Sequence, residues 1–163
     1  MIVEHAIVPG STRRLSSISE CRPALQELHA LWQKLRGDRG MPARRDFDPI
    51  EVPKLLPDMF LVDVFAGSPP ERRYRVRLQG TAQVDYFGAD WTGSFLHQMI
   101  DQASADRFCA VGDYVVSNRE PWMSSGDLYW IPEKPFYRFE TVLLPLSDDG
   151  TAVNMILGLT RLF

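Results

Sequence analysis

The chain has 163 residues and a mass of 18.6 kDa, which is one domain's worth of polypeptide, long enough to bury a core without staples. Hydrophobic residues are 45 % and charged residues 24 %, with a net charge of −3; this excludes a disordered chain and leaves no field that would draw a nucleic acid. Eleven Gly and twelve Pro argue against a plain helical bundle and for short elements joined by turns.

The chain opens with Met1-Ile-Val-Glu-His5, which lacks a basic stretch followed by an apolar one, so no secretory signal is expected, and no window is apolar enough for a membrane span. Cys21 and Cys109 lie far apart and form no CxxC pair; free thiols and a cytoplasmic address follow. Residues 1–20 carry Pro9-Gly10-Ser11-Thr12 and Ser16-Ser17 and read as a flexible arm. In residues 21–41 the apolar spacing of Leu25, Leu28, Trp32 and Leu35 predicts one amphipathic helix, opened by Pro23 and stopped by Gly37. That stripe either docks on its own domain or forms an interaction surface shared across a homodimer. Lys34, Arg36, Arg39, Arg44 and Arg45 read as a solvated basic loop, without the aromatic ladder of a nucleic-acid site.

Residues 42–163 hold the main domain. Asp48-Pro49 starts a short turn, and Pro53 and Pro57 forbid a long helix. Strands are expected over 59–65 and 72–79, joined by a turn at Gly67–Pro70. In the second strand Tyr74, Val76 and Leu78 alternate with Arg73, Arg75 and Arg77, and Asp63 is placed to pair with one of those arginines. Thr81 is the expected N-cap of a helix over 82–87, and Gly88 its stop. Asp101 opens a longer helix whose stripe is Phe108, Val111 and Val115, with Tyr114 alongside. Three strands then follow, over 122–131, 135–146 and 152–161, with turns at Pro132–Pro135 and Ser147–Gly150.

Two strands, short helices, a connecting helix and three strands form the element order of the PAS fold. The chain resembles the single-domain bacterial PAS proteins best known from alphaproteobacteria, a family once labelled only as of unknown function. The resemblance is carried by Leu31-Trp-Gln-Lys-Leu-Arg-Gly-Asp38, Phe47-Asp-Pro49, Leu55-Leu-Pro57, Arg75 to Ala82 ending in Gly-Thr-Ala, Tyr86 to Gly93, and Leu144-Pro-Leu-Ser-Asp-Asp-Gly150. It implies an α+β fold: a five-stranded antiparallel sheet ordered 2-1-5-4-3, helices on one face, and a pocket between. It also implies a non-enzymatic sensory or interaction module that signals through a separate protein partner, since no output segment follows Phe163.

Under that arrangement, alternation nominates Val76, Leu78, Tyr137 and Phe139 as pocket lining from the strands, with Tyr86 and Tyr114 approaching from the helices. Such a lining suits a small-molecule ligand or simply fills the core. No cofactor is named by the residues. His5, His29 and His97 stand apart from one another and fit no zinc spacing, although His97 lies where a haem-ligating histidine could sit. Cys109 lacks the motif of a flavin-adduct cysteine. No nucleophile elbow, Walker loop or dinucleotide fingerprint is present. The alternative from a different class is a small cone-shaped α+β isomerase or dehydratase, with a buried base drawn from Asp63 or Glu140. Asp85 and Asp113 are further carboxylates near apolar sequence.

Overall fold

A computed structural model describes residues 11–163, so the first ten residues of the expected arm lie outside the described residues. Its strands are β1 (Thr12–Arg14), β2 (Met59–Val64), β3 (Tyr74–Gln79), β4 (Trp122–Asp127), β5 (Arg138–Leu146) and β6 (Met155–Leu162). They form one antiparallel sheet in the spatial order β1-β4-β5-β6-β2-β3. The helices are α1 (Pro23–Arg36), α2 (Thr81–Phe87), α3 (Leu96–Met99) and α4 (Gln102–Asn118), with short 3-10 turns between several of the elements.

Read from β3 to β4, the sheet has the expected 2-1-5-4-3 order, but a sixth strand is added outside it. Part of the expected arm supplies that strand: Thr12 pairs with Gly126 and Arg14 with Ser124. Leu15, fully buried, follows it and donates its N–H to the Met123 carbonyl. A three-residue strand has too little alternation to be read from sequence, yet it covers what would otherwise be an open sheet edge. After it, Ser17 caps the turn Ile18–Glu20, accepting from Ser19 N while Glu20 accepts from the backbone of Ser17.

Helices α2, α3 and α4 share one face of the sheet, as expected, and the N-terminal helix α1 covers the other. Along β5, Val142, Leu144 and Leu146 point one way and are completely buried, while Phe139, Thr141 and Leu143 point the other. α1 packs against β5 on the first side. Leu25, Leu28 and Trp32 are 0 %, 0 % and 4 % exposed, and the Trp32 indole donates to the Pro145 carbonyl at 2.8 Å. The stripe nominated as an interaction surface is therefore core; Leu35 packs half-buried at its margin. The near-continuous apolar run Val142-Leu-Leu-Pro-Leu146 is the sequence trace of a strand covered on both faces.

Two smaller differences have local causes. Gly80, not Thr81, occupies the N-cap of α2, and its N–H donates to the Met59 carbonyl at 2.8 Å. β4 ends at Asp127 because Leu128, Trp130 and Ile131 leave the sheet to bury their side chains in a second cluster with Phe139. Asp101 does open α4, accepting from Ser104 N and Ser104 Oγ at 2.9 and 2.7 Å.

Both cysteines are free and buried. Burial, reinforced by Glu140 and then Glu20, pushes the Cys21 thiol up to about 12. Burial, reinforced chiefly by Asp113, does the same for Cys109, also to about 12. Both thiols stay protonated in the fold and ionise at ordinary values once unfolded, so unfolding releases protons at alkaline pH. Stability is accordingly expected to be complete at neutral pH and to fall as pH rises from about 9 toward 12. A thiol-specific chromogenic reagent should react with neither cysteine in native protein at pH 8 and with both in denaturant; rapid reaction of either in the native state would contradict this burial.

Candidate ligand-binding cavity

The side of the sheet opposite α1 faces α2, α3 and α4, and a cavity of about 120 Å³ lies between them. Phe60, Val62, Val76, Trp122, Ser124, Phe139, Thr141, Leu143, Ile156 and Thr160 form its sheet wall. Gln83, Tyr86 and Phe87 come from α2, Leu96 and Met99 from α3, and Phe108, Val111 and Gly112 from α4. Tyr129 and Trp130, just past β4, close one end. Trp130 meets Phe108 and Phe139 edge-on, with ring centroids 5.2 and 4.8 Å away, the arrangement aromatic quadrupoles favour. Phe60 lies across Gly158 of the neighbouring strand, where a Cβ would sit 2.2 Å from the ring; only glycine leaves room for this part of the wall.

Of the six side chains nominated from sequence, Val76, Tyr86 and Phe139 line the cavity. Tyr86 donates to Gln83 Oε1 at 2.5 Å, and Gln83 in turn donates to the Asp58 carbonyl at 3.0 Å; burial drives the Tyr86 phenol well above its ordinary pKa.

The other three are elsewhere. Leu78 is turned outward by a β-bulge: Leu61 pairs with Leu78 but Val62 with Val76, so Arg77 is the extra residue and alternation breaks there. Leu78 is 49 % exposed and lines a separate surface groove with Phe47, Pro49 and Leu61. Tyr137 falls before β5 begins and is exposed, its backbone paired with Leu128 and Lys134. Tyr114 stacks edge-on against Trp122, its hydroxyl accepting from Arg14 at 2.5 Å and donating to Glu120.

Tyr129 and Trp130 escape the sequence reading because 122–131 reads as one strand, whereas its last residues leave the sheet and pack beside the cavity; Trp122 does lie in the strand, and alternation alone does not single it out. Phe108 is already marked by the stripe of the long helix, although periodicity alone gives no means of telling cavity wall from core.

Neither candidate base of the cone-enzyme alternative faces this cavity. Asp63 pairs with Arg75 at 3.1 Å, as the hairpin pattern predicted. Glu140 lies on the α1 side, where its carboxylate accepts from Arg22 N at 2.5 Å and so holds the N-terminus of α1. Asp113 is engaged by Arg73 at 2.9 Å and by the Tyr74 hydroxyl at 2.6 Å, while Asp85 is exposed. His97 pairs with Asp106 at 3.2 Å and is not among the lining side chains. Among the described residues, no three His, Cys, Asp or Glu side chains group as they would around a metal ion, and no helix is long and apolar enough to cross a membrane.

No curated protein matches the chain significantly. A family model described as PAS domain matches residues 21–161, a span that takes in α1 and ends within β6. With the strand order of the sheet and the cavity between sheet and helices, that match places this chain in the PAS domain family.

Proposed function

We propose that the protein is a non-enzymatic sensory module that reads a small molecule in the cavity between sheet and helices and passes the signal on by associating with a separate effector or a second copy of itself. The observation that carries this reading is the cavity wall: apolar and aromatic, with a few hydroxyl, amide and indole groups, and, among the described residues, no Asp, Glu, Lys, Arg or His. Such a wall suits binding, and its ionisable groups are the phenols of Tyr74, Tyr86 and Tyr129, each held protonated by burial. Two buried free thiols support a reducing, cytoplasmic setting.

Native mass spectrometry of the purified full chain, with an absorbance spectrum, tests the reading. A co-purified mass that leaves on denaturation, or an added small molecule that binds in the cavity, is the expected result. A protein that stays free of ligand through a screen of small apolar compounds would reduce it to an adaptor with a filled core.

A further inference from the structure

We infer that the cavity holds an uncharged, ring-sized molecule by a hydroxyl group, as in a phenol or a cyclic alcohol, and that Ser124 and Thr141 are the side chains that grip it. This rests on the cavity being the ligand site. On the sheet floor Ser124 of β4 stands directly opposite Thr141 of β5, and Thr141 directly opposite Thr160 of β6. All three line the cavity, so a row of hydroxyls crosses a largely apolar floor.

The hydroxyls of the row are not equivalent. Thr141 Oγ1 lies 3.2 Å from the Leu159 carbonyl and 2.7 Å from Thr160 Oγ1. A carbonyl can only accept, so both bonds form together only when Thr141 donates to Leu159 and Thr160 donates to Thr141. Thr141 then has no proton to give and one lone pair to spare. Ser124 is 7 % exposed; its hydroxyl bonds to none of the described residues, yet its oxygen stays open to a water-sized molecule. Directly opposed residues stand about 5 Å apart at Cβ, so one ligand oxygen can reach both side chains. A ligand hydroxyl accepts from Ser124 and donates to Thr141, whereas a carbonyl or ether oxygen makes only the first bond. The Tyr74 and Tyr86 hydroxyls are already committed, to Asp113 and Gln83, and Tyr129 lies at the cavity's end, outside the row. Among the described residues the wall has no charged side chain, so an ionised ligand would lose its hydration and gain no counterion. The volume of about 120 Å³, slightly below that of an engineered cavity of roughly 150 Å³ that takes benzene, limits the rigid part of the ligand to about one ring.

The test is an NMR titration of the ¹⁵N-labelled full chain with phenol, toluene, anisole and benzoate. Phenol and toluene have nearly the same shape and differ in the hydroxyl. Phenol is expected to move the amide signals of Gly112 and Thr141, which line the cavity, and to leave that of Leu78 in the surface groove in place. It should bind at least about fivefold tighter than toluene or anisole, the gain from one or two neutral hydrogen bonds. Ser124→Ala should remove about fivefold from phenol and nothing from toluene, while Tyr129→Phe leaves both unchanged. Equal binding of phenol and toluene, read on the unaltered chain, would overturn the hydroxyl anchor while leaving the cavity a ligand site. A loss on Tyr129→Phe and none on Ser124→Ala would overturn the assignment to Ser124. Anisole binding as tightly as phenol would overturn the bond donated to Thr141, and tightest binding by benzoate would overturn neutrality. Shifts confined to Leu78 and its neighbours, or binding of none of the four at millimolar concentration, would overturn the sensory reading and this inference with it.

Discussion

Replacing Gly80 by alanine is expected to lower stability by about 3 kcal/mol, because the new methyl group has no soft neighbour to displace. A Cβ at this position would lie 2.2 Å from the Leu56 carbonyl oxygen and 2.4 Å from that of Pro57. Both atoms belong to backbone in or beside the 3-10 turn Leu56–Asp58, which leads directly into β2. Gly80 is itself tied to Met59 by its N–H, so neither side can retreat without breaking the entry to β2 or to α2. For a domain of this size the loss corresponds to a melting temperature lower by roughly 6–12 °C. Gly40, where a Cβ would meet nothing within 4 Å, is the control: Gly40→Ala should stay within about 0.5 kcal/mol of the parent. Equal melting temperatures for the two variants would refute the contact. Two stretches that carry the family resemblance, Leu55-Leu-Pro57 and Gly80-Thr-Ala82, are thus the two sides of one backbone approach, the same approach that sets the start of the helix carrying Gln83 and Tyr86.

Trp32→Ala is expected to cost about 3–5 kcal/mol, the range for removing a large buried aromatic side chain. The indole lies between α1 and the sheet, and its loss leaves both a cavity and the Pro145 carbonyl without its donor. Denaturant unfolding followed by tryptophan-independent circular dichroism measures the loss; light scattering on the same samples measures association. The expected pattern is a large fall in midpoint with the oligomeric state of the folded fraction unchanged. A protein that dissociates while keeping its midpoint would return α1 to the role of a surface shared between copies. For the same reason, removing residues 1–40 should yield aggregating protein, since Val142, Leu144 and Leu159, all completely buried, belong to the core that α1 completes.

Much of the fold was legible because it follows from local chemistry. Pro23 at the first turn of α1, Asp101 at the N-cap of α4, the proline-limited turns between 44 and 58, and the alternation in β5 each appear where the residues place them. The Asp63–Arg75 pair followed from the hairpin register. What failed did so where one residue's position depends on a distant partner. Alternation nominated Leu78, and a single extra residue at Arg77 turned it outward, since a bulge reverses every side chain beyond it. Tyr137 had the right parity but stood outside the strand.

By itself, then, the sequence determined the type and order of the main elements from Pro23 onward, the one-turn helix Leu96–Met99 excepted, because periods of two and 3.6 residues and the residues that cap and break them act over a few positions. Only the tertiary structure decided which apolar stripe is covered by its own chain, that β1 completes the sheet edge, and which rings enclose the cavity. The amphipathic pattern of α1 is the same whether a sheet or a second molecule covers it; its burial on β5 is a fact about where distant residues meet. The hydroxyl row of Ser124, Thr141 and Thr160 comes into view only in three dimensions, since each of its members stands on a different strand.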